Sequence, residues 1–171
     1  MSDAASPWVV RWAPLVARGP VLDVACGEGR HASLFAARGL RVVAVDRQEQ
    51  WISGVEFVKA DLEGGNPWPF AGQRFGAIVV TNYLHRPLFP HLRDSLEERG
   101  VLIYETFMAG NERYGKPSNP DFLLRPGELL EAFAGLGVVA FEQGEIDAAR
   151  KAVVQRICVI RGAPGGVRIA A

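Results

Sequence analysis

Acidic side chains accompany several apolar segments of this chain, and their spacing indicates where chemistry could occur. Asp23 lies within the segment "PVLDVAC", which leads directly into the small residues Gly27 and Gly29. Asp46 ends the next apolar segment, and Asp61 follows a third. Acids at the ends of apolar strands usually have a partner, because an unpaired charge is costly to remove from water. The pattern therefore predicts one ligand site shared by several strand ends.

The glycine turn, taken alone, fits two kinds of cofactor. Gly27-x-Gly29-x-x-Ala32 matches the G-x-G-x-x-G/A pattern of dinucleotide-binding proteins, with Asp46 in the place of their ribose-binding acid. Asp23 counts against a dinucleotide, because it lies where an anionic pyrophosphate would approach. An acid after a third strand is also foreign to that pattern, and no Gly-Lys-Ser/Thr follows to make a P-loop. S-adenosylmethionine instead offers a cationic sulfonium, an ammonium and ribose hydroxyls, which such acids would attract.

The bulk composition limits the class of protein. The 171 residues are 49% hydrophobic, which suits a single domain spanning 1–171 with its own core. Nineteen basic residues balance nineteen acidic ones, so binding to nucleic acid is not expected. We expect a cytoplasmic protein without membrane contact, since no apolar run approaches roughly 20 residues and no leader pattern begins the chain. Cys26 and Cys158 lack metal-ligand spacing, so no metal is predicted, and the oligomeric state stays open.

Apolar strands alternate with helical patterns, which predicts an α/β fold. We expect a Rossmann-like, mostly parallel sheet flanked by helices, with a C-terminal antiparallel β-hairpin. The first helix places Trp8 and Trp12 in the core, and another helix is predicted over "PLFPHLRDSLEERG". The polar segment 108–126 is predicted to be a functional or mobile loop. Only "QEQWISG" joins the second and third strands, which leaves Gln48 and Trp51 to cover what a helix would shield.

At these motif residues, the sequence resembles the class I S-adenosylmethionine-dependent methyltransferases. The E/D-x-G-x-G-x-G motif of that family stands here as Asp23-x-Ala25-x-Gly27-x-Gly29. The resemblance implies that the two glycines pass under the cofactor, and that Asp23 orders the turn or reaches the methionine end through water. Ala25 replaces the first glycine, so its backbone must avoid positive φ or be strained. Cys26, inside the motif, is included in the expected cofactor set.

The same resemblance gives roles to the ends of the next strands. Asp46 would bind the ribose, with Arg47 beside it. Asp61 would face the adenine amine, and Leu62 would pack against the ring. Asn82, after the fourth strand, completes the expected cofactor-binding residues.

The stretch "TNYLHRP" is predicted to line the acceptor pocket. His85 is the candidate general base, and Tyr83 or Arg86 would orient the acceptor. The Asn/Asp-Pro-Pro-Tyr motif of amino-methylating members is absent, so methylation of an adenine amine or of glutamine is not expected. In the alternative interpretation, Asn82 and His85 satisfy loop backbone, while Arg86 caps the next helix or pairs with Glu105.

Two segments, "VTNYLHRPLFPHL" and "NPDFLLRPGELL", resemble small bacterial methyltransferases related to the tellurite-resistance methyltransferases. That resemblance implies methyl transfer to a small-molecule or chalcogen-type acceptor, achieved mainly by alignment and exclusion of water. A domain that binds S-adenosylmethionine without transferring its methyl group, as a sensor or partner subunit, is the alternative. An NAD-dependent oxidoreductase is the third candidate. The long loop contains basic and aromatic residues, which are Arg113, Tyr114, Lys116 and Arg125. They are interpreted as a solvated surface; in the alternative interpretation, they hold an anionic acceptor under the loop.

Overall fold

A sheet of seven strands forms the centre of the molecule, in the order β3-β2-β1-β4-β5-β7-β6. The computed structural model describes residues 4–170. In chain order the strands are β1 Val21–Val24, β2 Val42–Asp46, β3 Glu56–Lys59, β4 Phe75–Thr81, β5 Leu96–Phe107, β6 Gly137–Asp147 and β7 Lys151–Ile160. Strands β1 to β5 run parallel, and β7 pairs antiparallel with both β5 and β6. The predicted parallel sheet with a closing hairpin is confirmed.

Helices cover both faces of this sheet, so a separate core lies on each face. Those in the described residues are α1 Pro7–Trp12, α2 Arg30–Ala37, α3 Phe89–Asp94 and α4 Glu128–Ala132. Trp8, Trp12 and Phe35, from α1 and α2, fill one core, as expected for the two tryptophans. Leu92 and Phe133, from α3 and α4, fill the other. Because both faces are buried, β1 and β2 are almost continuous apolar runs rather than alternating patterns.

The helix predicted over "PLFPHLRDSLEERG" is shorter than expected. It ends at Asp94, and the residues from Leu96 onward belong to β5. Leu96 pairs with Phe75 across the sheet, and the Arg161 guanidinium donates to its carbonyl at 3.0 Å. A Cβ at Gly100 would approach the Phe75 carbonyl to 3.0 Å, so the chain fits there only as a closely packed strand. These distant contacts outweigh the local helical preference of the sequence.

The short connection between β2 and β3 contains no helix. The two residues expected to cover the sheet in place of a helix, Gln48 and Trp51, do not pack against it. Gln48 is exposed, and the Trp51 side chain is 88% exposed. Ile52 packs inward instead, because its side chain lies where a Cβ on Gly29 would stand, with Cδ1 only 2.3 Å away. The expectation for Gln48 and Trp51 was therefore wrong: the short connection turns the aliphatic side chain inward and leaves the indole in solvent.

The described part of the chain has neither a membrane-spanning helix nor a cluster of metal ligands. No helix in residues 4–170 is long and apolar enough to cross a membrane. The same residues contain no group of three or more His, Cys, Asp and Glu side chains that could hold a metal ion. Cys26 and Cys158 are free and buried. Burial raises the pKa of the Cys158 thiol to about 12, so this side chain is a protonated core residue at neutral pH.

Candidate functional site

A cavity of about 340 Å³ lies at the carboxyl ends of the parallel strands. Its volume falls within the range of small-molecule sites. The side chains and backbone that line it are Ala25, Asp46, Arg47, Ala60, Asp61, Leu62, Glu63, Tyr83 and Phe122. Parallel strands bring their carboxyl ends to one edge of the sheet, which is why residues so far apart in sequence meet here. The structure thus brings together much of the expected cofactor set, with Tyr83 from the expected acceptor set.

Asp23 lies beneath this cavity and organises the turn after β1. Its carboxylate is buried and accepts the backbone N–H of Ala32 at 2.9 Å, at the start of α2. Burial raises the pKa of Asp23 to about 7; the Ala32 amide and the Arg30 charge oppose this rise, and the Asp46 charge adds to it. Asp23 was expected either to order the turn or to reach the methionine end of the cofactor through water. Its hydrogen bond to Ala32 corresponds to the first of these roles.

The turn itself has three residues with left-handed backbone. Ala25 has φ +52°, where its Cβ is disfavoured, while Gly27 and Gly29 have φ +53° and +80°. A Cβ on Gly27 would meet nothing within 4 Å, so the backbone there is bare toward open space. At Gly29, the contact with Ile52 excludes any side chain. Ala25 therefore adopts the strained conformation, the second of the two possibilities the sequence allowed.

Cys26 is a structural member of the same turn. Its backbone N–H donates to the Val45 carbonyl at 3.0 Å, which ties the turn to β2. Burial, followed by the charges of Asp23 and Asp46, raises the pKa of the Cys26 thiol to about 12. The thiol is protonated at neutral pH and does not line the cavity. Cys26 can thus contribute to a cofactor site only through its backbone.

Asp46 joins two loops at the floor of the cavity. One carboxylate oxygen accepts the Gly27 N–H at 2.9 Å, and the other accepts the Gln48 N–H at 3.0 Å. Each oxygen retains a further lone pair, because a carboxylate can accept about four hydrogen bonds. Arg47 lies beside it, exposed, at the cavity wall. Asp46 is therefore fixed by the backbone while still able to accept from a ligand hydroxyl.

The opposite wall comes from the segment after β3. Asp61 accepts the Glu63 N–H at 3.0 Å, which caps the following turn, and Leu62 is buried beside it. The Tyr83 hydroxyl donates to the Glu63 carboxylate at 3.2 Å. Burial, then the Glu63 charge, raises the pKa of Tyr83. The Tyr83 phenol is therefore neutral at physiological pH. The backbone carbonyl of Tyr83 accepts a hydrogen bond from the Tyr104 hydroxyl at 2.7 Å.

The residues expected to be catalytic do not all reach this cavity. Tyr83 lines it, whereas His85 lies in a smaller neighbouring cavity of about 170 Å³, which shares Leu62 with the first. Arg86 forms a bidentate ion pair with Glu128, at 2.6 and 3.0 Å. The pairing of Arg86 with Glu105, one of the alternatives for these residues, was wrong, because Glu105 is paired with Arg156. Asn82 is exposed, and its N–H donates to a carbonyl of β5 at 2.9 Å.

Glu105 and His31 form a second polar cluster that sequence reasoning missed. The Ser6 hydroxyl donates to Glu105 at 2.7 Å, and the Ser6 N–H donates to His31 Nε2 at 3.0 Å. His31 Nδ1 lies 3.3 Å from the Thr81 hydroxyl at the end of β4. Burial, with a smaller effect from the Arg30 charge, lowers the pKa of His31 to about 4. Neutral His31 therefore joins the start of α1 to the strand ends. No sequence pattern indicated this contact, because Ser6 and His31 are 25 positions apart.

Two cations of the long loop, Arg113 and Arg125, are paired with carboxylates. Arg113 contacts Glu145 at 3.2 Å, and the Tyr114 hydroxyl donates to the same carboxylate at 2.5 Å. Arg125 lies 3.6 Å from Glu128 and also contacts a glutamate of α4. This pairing favours the interpretation of the loop as a structured surface over that of a site for an anionic acceptor.

Comparisons with known proteins agree with this geometry. Residues 21–100 match the family model described as a methyltransferase domain. TehB from Haemophilus influenzae superposes with TM-score 0.77 at 15% identity, over 94% of this chain and 64% of that one. An S-adenosylmethionine-dependent methyltransferase from Mesorhizobium loti superposes with TM-score 0.67 at 16% identity, over 93% and 99% of the two chains. Residues 21–100 thus match a methyltransferase domain, and the described chain has the fold of S-adenosylmethionine-dependent methyltransferases.

The match of residues 21–100 agrees with the family expected from the motif residues. No curated protein matches the sequence. The chain spans 64% of the length of TehB. A further neighbour is the 1,6-didemethyltoxoflavin-N1-methyltransferase of Burkholderia thailandensis, solved with 1,6-didemethyltoxoflavin and S-adenosylhomocysteine. It has TM-score 0.64 at 19% identity, over 90% of this chain and 76% of that one. At these identities the superpositions establish the shared fold of the methyltransferase domain.

Proposed function

We propose that this chain transfers the methyl group of S-adenosylmethionine to a small-molecule acceptor at the cavity bounded by Asp46, Asp61 and Tyr83. The observation that carries the proposal is the convergence of Asp46 and Asp61 on one cavity beside the bare turn at Gly27. Carboxylates accept from hydroxyl and amine groups and attract cations, whereas they repel the pyrophosphate of a dinucleotide. The lining contains three carboxylates and one guanidinium, so its chemistry fits the cofactor of this fold.

At the cofactor end, the roles follow from what each side chain can still bind. Asp46 would accept from the ribose hydroxyls, since the backbone amides use only part of its capacity. Asp61 would accept from the adenine amine, and Leu62 would pack on the ring. Asp23 acts through the turn, which it ties to α2. When bound, S-adenosylmethionine supplies a methyl group that its sulfonium has already activated.

At the acceptor end, Tyr83 is the best-placed group of the three expected. Its hydroxyl is anchored on Glu63, which leaves the oxygen able to accept from an acceptor amine or hydroxyl. We assign His85 the part of a base for acceptors that must lose a proton, reached through the neighbouring cavity that shares Leu62. Arg86 is engaged elsewhere, and we assign it no contact with the acceptor.

Transfer of a labelled methyl group tests the proposal. Purified protein is incubated with methyl-labelled S-adenosylmethionine and a fractionated bacterial extract, and label is followed into each fraction. We expect label in a low-molecular-weight fraction that depends on active protein. S-adenosylhomocysteine binding without label in any fraction would instead support the non-catalytic sensor or partner subunit, which the lack of a recognised motif after β4 leaves open.

Replacement of His85 separates chemistry from cofactor binding. We expect His85→Ala to lower turnover while the Kd for S-adenosylhomocysteine stays within about twofold, because His85 does not line the cofactor cavity. His91→Ala is the matched control: His91 lines the same small cavity but stacks on Trp68, with ring centroids 5.5 Å apart. An equal loss of cofactor affinity in His85→Ala would overturn the assignment of His85.

A further inference from the structure

We propose that Arg86 and Glu128 form a latch that holds the turn Pro120–Phe122 at the cavity, where Phe122 supplies an aromatic wall for the adenine ring of the cofactor. The adenine part of this inference rests on the proposed function. The latch itself is formed by protein groups alone and does not depend on the proposed function. It assigns Arg86 a positioning role in place of the direct contact with substrate that its sequence position suggested.

The ion pair at the centre of the latch is close and sheltered. Arg86 Nε and Nη2 donate to the two carboxylate oxygens of Glu128, at 2.6 and 3.0 Å. Glu128 is only 4% exposed, and it also accepts the Arg125 N–H at 2.7 Å. Burial alone would raise the pKa of Glu128. Hydrogen bonds from Arg86 and the Arg125 amide, together with the charges of the Arg86 and Arg125 guanidinium groups, outweigh burial and lower this pKa. The pair is therefore ionised at neutral pH, and its fork geometry is specific to arginine.

The same guanidinium holds the backbone on both sides of Phe122. Arg86 Nη1 donates to the Asp121 carbonyl at 3.0 Å, and Nη2 donates to the Leu123 carbonyl at 2.9 Å. The Phe122 N–H itself is satisfied within the turn, by the Asn119 carbonyl at 3.0 Å. One side chain therefore fixes both flanking peptide units and, through them, the direction of the ring between them.

Phe122 is a large apolar residue that this arrangement holds partly exposed at the cavity. Its ring is 51% exposed, yet it lines the cavity together with Leu62 and Asp61. These are the two residues assigned to the adenine. The faces of an adenine ring in the cavity would contact Leu62 and Phe122 and so remove apolar surface from water. One wall of the cavity is thus supplied by the loop after β5 rather than by the motif strands.

The latch joins the segment after β4 to the start of α4. Arg86 begins the 3₁₀ turn Arg86–Leu88 that follows β4, while Glu128 begins α4, at the far end of the long loop. The pair joins these two points across 42 positions of sequence. The loop is therefore held at its cavity side by Arg86, and at its outer side by Arg113 on Glu145 of β6. This second ion pair provides a matched control.

The first arm of the test is amide hydrogen exchange without ligand. We expect exchange at Phe122 and Leu123 to become faster in Arg86→Gln and in Glu128→Gln, and to keep the wild-type rate in Arg113→Gln. Arg86→Lys, which retains the charge but loses the fork, should exchange at an intermediate rate. It also serves as the readout if Arg86→Gln does not fold. Wild-type exchange in Arg86→Lys and Glu128→Gln would overturn the latch, whether or not any cofactor binds.

The second arm is calorimetric titration with S-adenosylhomocysteine. Phe122→Ala and Arg86→Gln should each weaken binding about tenfold, as expected for loss of one aromatic face against a base. If Arg86 acts through Phe122, the double variant should be no weaker than Phe122→Ala alone, because the ring that Arg86 positions is already absent. Additive losses, or unchanged affinity in Phe122→Ala, would overturn the positioning role. Failure of the wild type to bind would refute the proposed function and leave the exchange result standing.

Discussion

The two halves of the carboxyl edge of the sheet are built in different ways. At β1–β3, the carboxylates of Asp46 and Asp61 accept backbone amides, from residues at most 19 positions away. At β4–β7, Glu105 and Glu128 are paired with guanidinium groups 51 and 42 positions away. Amides fix a carboxylate without neutralising its charge, whereas arginines do both. The first half therefore keeps negative charge for a ligand, while the second uses its charge to hold the fold.

The largest expected effect tests the charge kept in the first half. Asp46→Ala should weaken S-adenosylhomocysteine binding about 100-fold, because hydrogen bonds to a charged group contribute about 1.5–3 kcal/mol and 1.4 kcal/mol is tenfold. Glu49→Ala is the control, since Glu49 is an exposed carboxylate near Asp46 that contacts Lys59 at 3.7 Å. Calorimetry gives both dissociation constants. Equal affinities in the two variants would remove the ribose contact from the account.

The next effect tests the burial of Asp23. Because burial raises the pKa of Asp23 from 3.8 to about 7, the folded state keeps a proton that the unfolded state releases between these values. This contribution to stability is complete below pH 3.8 and is lost as pH rises toward 7, with a slope of about 1.4 kcal/mol per pH unit. In Asp23→Asn, the free energy of unfolding measured with denaturant should not show this decrease between pH 5 and 7.

His31 provides the opposite sign for the same measurement. Its pKa is lowered from 6.5 to about 4, so its contribution is present above pH 6.5 and is lost as pH falls through this range. His31→Asn should therefore make unfolding stability fall more steeply with rising pH, where Asp23→Asn makes it fall less steeply. Parallel pH profiles for the two variants would show that neither titration is coupled to folding.

The smallest effect tests the strain in the motif turn. Alanine at φ +52° is disfavoured, whereas glycine adopts positive φ freely. Ala25→Gly should change the free energy of unfolding by less than about 0.5 kcal/mol, since relief of strain offsets the added flexibility of the unfolded chain. Ala36→Gly, in α2, has no such relief and should lose about 1 kcal/mol. Equal losses at both positions in urea denaturation would mean that the turn carries no strain.

The same contrast explains which features the sequence could predict. The turn from Asp23 to Gly29 and the acid at Asp46 are local signals, because backbone geometry and neighbouring amides determine their positions. The mostly parallel sheet with its closing hairpin also follows from alternating strands and helices. These features appear in the structure as expected, although the residue roles within the site remain proposals.

The missed features depend on contacts between distant segments. No local pattern joins Arg86 to Glu128, or Ser6 to His31, because such pairs exist only once the loops and α1 are in place. The end of α3 was misplaced for the same reason, since pairing with Phe75 converts Leu96 into strand. Phe122 carried no signal at all, because a phenylalanine in a loop is indistinguishable by sequence from one that packs in a core.

Titration of the purified protein with S-adenosylhomocysteine and with NAD tests most directly whether the acidic half of the edge holds the cofactor. Three carboxylates and a bare turn at the cavity predict micromolar binding of S-adenosylhomocysteine and no heat from NAD. Binding of NAD without S-adenosylhomocysteine would contradict the account, because Asp46 would then be the ribose-binding acid of a dinucleotide site.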